Sequence, residues 1–265
     1  MIGFNALGRM GCLGNQMFQY AALKGIAQKV GSEYCMPRYN TRKVRCFGIT
    51  YRTELFDFFP IKVIFRTLSH VPTVRERFFH FDEELFACPD NVSLEGYFQS
   101  ERYFKHIEEE VRKDFTFKPE ILSTCEAALS TIRPIALHVR RTDYLKNHDF
   151  FALPISYYAE ALGHFDDGRN VIVFSDDIPW CKGQRLFHGE RFTFSEYGKM
   201  DLCLMSLCSD FIIANSTYSW WGAWLAKNKN KKVIAPGAWF SARVGSNTRD
   251  LLPEAWIKIL IGDRR

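Results

Sequence analysis

The chain has 265 residues, room for one large domain or two modest ones, and its 47% hydrophobic and 25% charged content is that of an ordinary globular protein. A net charge of +5 is mild: it suits a small anionic ligand, and without a long basic block it argues against a nucleic-acid partner. No apolar run reaches the ~20 residues of a membrane span, and residues 1–9 are too short and glycine-broken for a signal peptide. A cytoplasmic location is therefore expected, with peripheral membrane association left open.

Residues 1–7 read as a first strand, followed by a glycine-rich turn over 8–16 and apolar positions at helical spacing over 17–27. Strand, glycine turn and helix is the layout of a helix N-terminus that faces phosphate or sugar. Residues 31–90 carry aromatic clusters (Phe56, Phe58, Phe59; Phe78, Phe79, Phe81) and predict short helices and loops. A strand follows over 94–99, then a helix over 101–113 capped by Ser100, then a helix over 119–131. The short apolar stretch 134–137 reads as a buried strand, and the boundary between two domains, 1–132 and 133–265, falls just before it.

The second half alternates more cleanly. A helix opens at Ile155, and a strand over 170–174 ends in Ser175, Asp176 and Asp177. A helix over 201–208 precedes a strand over 211–214 that ends in Asn215, Ser216 and Thr217. A helix over 219–226 and a strand over 232–235 follow. Repeated strand–helix units imply a parallel sheet with Rossmann-like winding. Polar residues at the carboxyl end of each strand suit a shared ligand crevice.

The cysteines at 12, 35, 46, 88, 125, 181, 203 and 208 form no C-x-x-C and no zinc-type spacing, so reduced core thiols are expected. Three clusters carry more specific chemistry. After the strand at 134–137 come His138, Arg140, Arg141 and Asp143. Guanidinium matches phosphate oxygens bidentately and keeps its charge, so this pair suits a diphosphate. The two arginines point to opposite strand faces; one can meet the ligand while the other braces the site, although an ordinary salt-bridged strand end would look similar.

Asp176 and Asp177 can accept from a base edge with adjacent N–H and NH2 donors, as guanine has, or simply cap the next helix. Adjacent aspartates without D-x-D spacing argue against a metal. The block from Asn215 to Trp224 places Ser216, Thr217 and Ser219 at a helix start, where free N–H groups and hydroxyls bind phosphate. The glycine turn lacks the marks of a P-loop or of G-x-G-x-x-G.

Together these segments resemble the α1,2-fucosyltransferase family. The resemblance rests on the turn 8–21, the His138-Val139-Arg140-Arg141-Thr142-Asp143-Tyr144 motif, Phe174-Ser175-Asp176-Asp177, the tryptophan-rich block 215–225 and the segment 96–104. Here Met10-Gly11-Cys12 extends the family's usual Gly-Arg-Leu-Gly-Asn-Gln. The resemblance implies an α/β fold of GT-B type, two Rossmann-like domains facing a central cleft, acceptor-side first and GDP-fucose-binding second. It implies inverting transfer of L-fucose from GDP-β-L-fucose to the 2-hydroxyl of a terminal β-galactoside, with no metal or other cofactor.

By motif position, Arg140 would hold the β-phosphate, and His138 with Asp176 or Asp177 (preferably Asp177) would meet the guanosine. Ser216, Thr217 and Ser219 would hold phosphate oxygens, with Arg141 and Asn215 completing the donor set, while Asn15 and Gln16 would face the donor from the first domain. Asp143 and His148 are the candidate bases, and a base is dispensable if leaving-group departure runs ahead of attack. Two other readings stay open: a different GDP-sugar transferase of the same fold, and a non-catalytic nucleotide- or glycan-binding module.

Overall fold

Two parallel sheets, each in its own compact unit, organise the chain; this computed structural model describes residues 1–44, 49–129 and 133–262. The first unit takes residues 1–118 with 247–253, and the second takes 119–246 with 254–265. The boundary expected at 132/133 abuts residues 130–132, which lie outside the described residues. The helix before it goes with the second unit, where the Cys125 thiol donates to the Met200 carbonyl (3.8 Å).

The first unit runs β1 (Ile2–Gly3), α1 (Leu13–Val30), β2 (Tyr34–Met36), β3 (Thr41–Val44), β4 (Ile49–Arg52), α2 (Leu55–Phe58), β5 (Ile64–Phe65), β6 (Thr73–Arg75), β7 (Val92–Glu95) and α3 (Glu108–Asp114). Its sheet has the order β5-β2-β1-β7-β6 with every pair parallel, and β3 and β4 form a separate antiparallel ribbon. α1 is buried almost all round, as a helix with core on both sides must be. It ends at Gly31 (φ 74°), the left-handed cap that frees the chain to turn into β2. Gly25 lets α1 lie on its neighbour: an added Cβ would stand 2.0 Å from the Tyr103 carbonyl oxygen.

The helix expected over 101–113 is instead two 3-10 turns, Glu101–Tyr103 and Lys105–Ile107, followed by α3. The chain breaks at Phe104 (φ −135°, ψ 7°), turning Tyr103 onto Phe81 and Phe104 onto Phe18. Ser100 does cap the first turn, accepting from the Arg102 N–H.

The second unit runs α4 (Pro119–Leu129), β8 (Ile135–Val139), α5 (Ile155–Leu162), β9 (Val171–Ser175), α6 (Ile178–Lys182), β10 (Phe192–Phe194), α7 (Asp201–Ser206), β11 (Asp210–Ile212), α8 (Thr217–Leu225), β12 (Val233–Pro236) and β13 (Ile257–Ile259). Its six strands lie in the order β10-β9-β8-β11-β12-β13, again all parallel, which is the Rossmann-like winding expected. All five residues of β8 are buried, as a central parallel strand requires.

From β8 the chain builds outward through β9 and β10, then returns to β11 on the other flank of β8 and builds outward again. The loops leaving β8 and β11 therefore diverge, and a crevice opens at their carboxyl ends. The short strands β10 and β13 were not anticipated, since three residues at a sheet edge carry little periodicity.

Behind α8 the tryptophans form a core rather than a surface. Trp220, Trp221 and Trp224 pack on one another at 4.9–6.1 Å between ring centroids, and Trp256 joins them. Burying one such ring contributes roughly 4–6 kcal/mol of transfer free energy. Gly222 admits Met205 of α7, whose sulfur would lie 2.6 Å from any Cβ there. α8 is thus fixed by its buried body, and its N-terminal turn is held where β11 ends.

Candidate active site

The switch between β8 and β11 gathers the charged cluster. Arg140 stands just past β8, and its guanidinium lies between two carboxylates, Asp143 (2.7 Å) and Asp176 (3.1 Å). It also sits over the Tyr144 ring, 5.4 Å from the centroid. Burial works against its charge, but Asp176 and Asp143 outweigh that and hold its pKa above the ordinary value. Two ion pairs engage two of its nitrogens; guanidinium carries five N–H donors, so capacity remains for an anion.

Asp176 organises the whole loop. It accepts from the backbone N–H groups of Arg141 (2.9 Å) and Thr142 (3.1 Å), and from the Thr142 hydroxyl, besides pairing with Arg140. Asp177 caps α6 by accepting from the Trp180 N–H (3.2 Å), and its second oxygen accepts from Arg141 Nε (3.2 Å). The Arg141 guanidinium lies 3.8 Å from the centroid of the Trp180 ring. Both arginines thus lie beyond the end of β8 and both are engaged by carboxylates, Arg140 by Asp143 and Asp176 and Arg141 by Asp177. Trp180 was not singled out in the sequence; its signal is an aromatic at the third helical position after an Asp cap.

His138 is buried on β8 beside Tyr218, with Nδ1 unpartnered. Burial, reinforced by Arg140 and opposed by Asp176, pushes its pKa down to about 3. The ring is therefore neutral at ordinary pH.

At the end of β11, Asn215 is fully buried and its Nδ2 donates to the carbonyls of Phe151 and Trp239 (both 3.1 Å). Its side chain ties loops together, and Oδ1 remains unpartnered. The Asn215 carbonyl accepts from the Tyr144 hydroxyl (2.9 Å), which bridges the loops after β8 and β11. Ser216 sits at the N-cap of α8, yet its side chain makes no capping bond. Thr217 opens α8, and the buried Ser219 donates to the Ser216 carbonyl (3.3 Å). The first turn of α8 carries no acidic side chain of its own against the positive end of the helix dipole.

Along the loop after Arg140, a cavity of about 820 Å³ is lined by Tyr144, Asn147, His148, Phe150, Ser241 and Arg243 among others. His148 thus opens on a cavity, while Asp143 is held against Arg140. Arg243, invisible as a site residue in the sequence, supplies a second cation there, loosely paired with Asp149 at 3.5 Å.

In the first unit the turn after β1 behaves differently from expectation. Gln16 is fully buried; its Nε2 donates to the carbonyls of Gly11 (3.2 Å) and Arg52 (2.7 Å), and its Oε1 accepts from the Glu54 N–H (2.8 Å). Glu54 in return accepts from the Leu13 N–H at the start of α1 (2.7 Å). The helix N-terminus expected to face phosphate or sugar is therefore plugged by a protein carboxylate, and Gln16 braces the turn. Asn15, half-buried, accepts from Gln99 Nε2 (2.9 Å). The extended Met10-Gly11-Cys12 segment closes because Gly8 and Gly11 adopt φ of 82° and 73°.

Among the described residues, no group of three or more His, Cys, Asp or Glu side chains is placed to hold a metal ion, and no helix is long and apolar enough to cross a membrane. The described cysteines form no disulfide; Cys12 is exposed and the other six are buried, while Cys46 lies outside the described residues.

Solved structures with this architecture include POFUT1 in complex with GDP (TM-score 0.55, 12% identity, 88% of this chain and 97% of that one). The fucosyltransferase NodZ from Bradyrhizobium is also similar (TM-score 0.51, 13% identity, 84% of this chain and 92% of that one). These likenesses define a GT-B-like fold with two sheet-containing units. The profile of Glycosyl transferase family 11 matches residues 2–259, and the chain belongs to that family.

It is 31% identical to an α1,2-colitosyltransferase of Escherichia coli, over 94% of this chain and 96% of the relative. The O-antigen biosynthesis glycosyltransferase WbnK of the same organism is 29% identical over 94% and 98%. A galactoside α-(1,2)-fucosyltransferase 1 from Ateles belzebuth is 27% identical, with 82% of this chain matching 63% of that protein.

The neutral His138 sets a pH dependence of stability. Its folded pKa of about 3 lies below the ordinary 6.5, so between those values the unfolded chain holds a proton that the folded chain lacks. Stability should fall as pH drops through that window, by about 1 kcal/mol per pH unit from this group. His138→Phe is expected to flatten the pH dependence of urea unfolding between pH 6.5 and 4. An unchanged slope would show that His138 titrates normally in the fold.

Proposed function

We propose that the protein transfers L-fucose from GDP-β-L-fucose to the 2-hydroxyl of a terminal β-galactoside, with inversion and without a metal. The observation that carries the reading is the Arg140 guanidinium at the β8/β11 switch, held by Asp143 and Asp176 with N–H donors to spare for an anion. Family membership and the galactoside α-(1,2)-fucosyltransferase relative support the linkage and acceptor class. GDP in a protein of like fold supports the nucleotide.

As the sugar leaves, its C1 takes on oxocarbenium character and negative charge builds on GDP. Stabilising that diphosphate is the main electrostatic demand, met by a divalent ion or by fixed cations and amides. In this reading Arg140 takes the β-phosphate, and Ser216 and Thr217 with the α8 N-terminus take the remaining oxygens. The buried Ser219, whose hydroxyl donates to the Ser216 carbonyl, supports the turn instead of meeting phosphate as the motif implies. Neutral His138 and Asp177 meet the guanosine, and Arg141 holds Asp177 in position. Asp176 keeps the Arg140 loop in shape, while Asn215 fixes the loop after β11. Asn15 is the candidate contact from the first unit, with Gln16 supporting its turn.

The second unit is then the donor-binding domain and the first the acceptor-side domain. His148, on an open cavity, is better placed than Asp143 to receive the acceptor's proton, because Asp143 is held by Arg140. Binding the galactoside of a membrane-borne glycan would bring the protein to a membrane surface.

A second reading is favoured by one finding, the 31% identity to an α1,2-colitosyltransferase: the same site would then transfer colitose. Incubation with lactose and either GDP-fucose or GDP-colitose, followed by linkage analysis, separates the two. The expected product is α1,2-fucosyllactose, formed equally in EDTA; transfer from GDP-colitose alone, or activity lost in EDTA and restored by Mg²⁺ or Mn²⁺, would contradict the proposal.

Arg140→Ala should lower kcat by about a hundred- to thousandfold, the usual cost of losing a preorganised charge-stabilising donor. Its melting temperature should stay close to that of the parent. Near-parental turnover would remove Arg140 from the mechanism.

A further inference from the structure

The first sheet has a switch point of its own. β2 and β5 build outward on one side of β1, and the chain returns to place β7 on the other. Two turns leave this point, one after β1 at residues 4–12 and one after β7 at residues 96–99, within the family-like segment that has no role above.

The turn after β7 is strained. Phe98 holds a left-handed φ of 53°, which a bulky side chain adopts only when its surroundings impose it. Glu76, just past β6, imposes it: its carboxylate lies across the turn and accepts from the Tyr97 and Phe98 N–H groups, both at 2.8 Å. Room for this exists because residue 96 is glycine; a Cβ there would stand 2.4 Å from that of Glu76. Each carboxylate oxygen retains lone-pair capacity for a further donor. Burial pushes the carboxyl up to about 7 against the two N–H bonds.

Amide side chains lace the two turns together. Gln19 Nε2 donates to the carbonyls of Gly96 (3.0 Å) and Met10 (3.3 Å), and Gln99 Nε2 donates to Asn15 Oδ1 (2.9 Å). Those contacts engage the NH2 groups, while the buried oxygens, Gln19 Oε1 and Gln99 Oε1, are without partners. A buried unpaired acceptor is costly, and a bound donor would satisfy it. Above the turn the Tyr97 side chain is 38% exposed, with Glu76, Arg42 and Cys12 as its electrostatic neighbours.

An aromatic face beside a carboxylate and amide oxygens suits a ligand rich in O–H donors that also offers an apolar C–H face. A phosphate would meet like charge at Glu76. A neutral pyranose satisfies both demands.

We propose that this first-unit crevice binds the acceptor sugar, a neutral terminal hexose, with Tyr97 against its C–H face and Glu76 accepting from its hydroxyls. The assignment rests on the transferase reading above and adds the residues that select its acceptor.

The test uses the full chain with Tyr97→Ala, Tyr97→Phe and Glu76→Gln. With lactose as acceptor, Tyr97→Ala and Glu76→Gln should raise the lactose KM about tenfold, equivalent to ~1.4 kcal/mol. The GDP dissociation constant should stay unchanged, and Tyr97→Phe should restore the lactose KM. An unchanged lactose KM in Tyr97→Ala, or equal losses for lactose and GDP, overturns the proposal.

If the parent protein transfers nothing to lactose, the transferase reading fails on its own, and saturation-transfer NMR of lactose with GDP present still tests this site. A lactose signal lost in Tyr97→Ala supports it. A signal equal in both proteins, or absent from the parent, overturns it.

Discussion

Strands β8 and β11 lie side by side, yet the chain leaves them in opposite directions, and the candidate active site follows from that reversal. Parallel pairing puts both carboxyl ends at one edge of the sheet, so the two loops must part over a crevice. The Tyr144 hydroxyl, bonded to the Asn215 carbonyl, spans the parting at a fixed distance. Burial then does the remaining positioning: a fully buried β8 delivers Arg140 to its end, and the tryptophan core of α8 fixes the helix start at the end of β11.

Charge in this crevice is balanced rather than simply positive. Arg140 is shared between Asp143 and Asp176, and Arg141 is held by Asp177 and Trp180. Two charges 4 Å apart near a protein surface interact by about 4 kcal/mol at an effective dielectric of 20. The carboxylates can therefore keep Arg140 in place without consuming all of its N–H donors. In the proposed reading a diphosphate, carrying more negative charge than either partner, would compete for the remaining donors. α8 adds its dipole with no acidic residue in its first turn, whereas Glu54 accepts from the Leu13 N–H at the start of α1.

Much of this was legible in the chain. The apolar run before His138, the strand-end polar residues and the tryptophan block each marked a place that the parallel sheet brings together, because strand alternation and burial act locally. What was hidden depended on distant partners. Gln16 is expected to face the donor until Arg52 and Glu54, supplied by the aromatic-rich segment 31–90, occupy its amide. Asp176 and Asp177 look equivalent in sequence; only the loop from β8 makes one a backbone clamp and the other a helix cap. The break at Phe104 is likewise tertiary, set by which ring each aromatic side chain meets.

The most direct measurement is a crystal of the protein soaked with GDP. The account predicts the β-phosphate within hydrogen-bonding distance of the Arg140 guanidinium, with further oxygens at the amides and hydroxyls of residues 216–219. Nucleotide density elsewhere, with Arg140 still held only by Asp143 and Asp176, would contradict it.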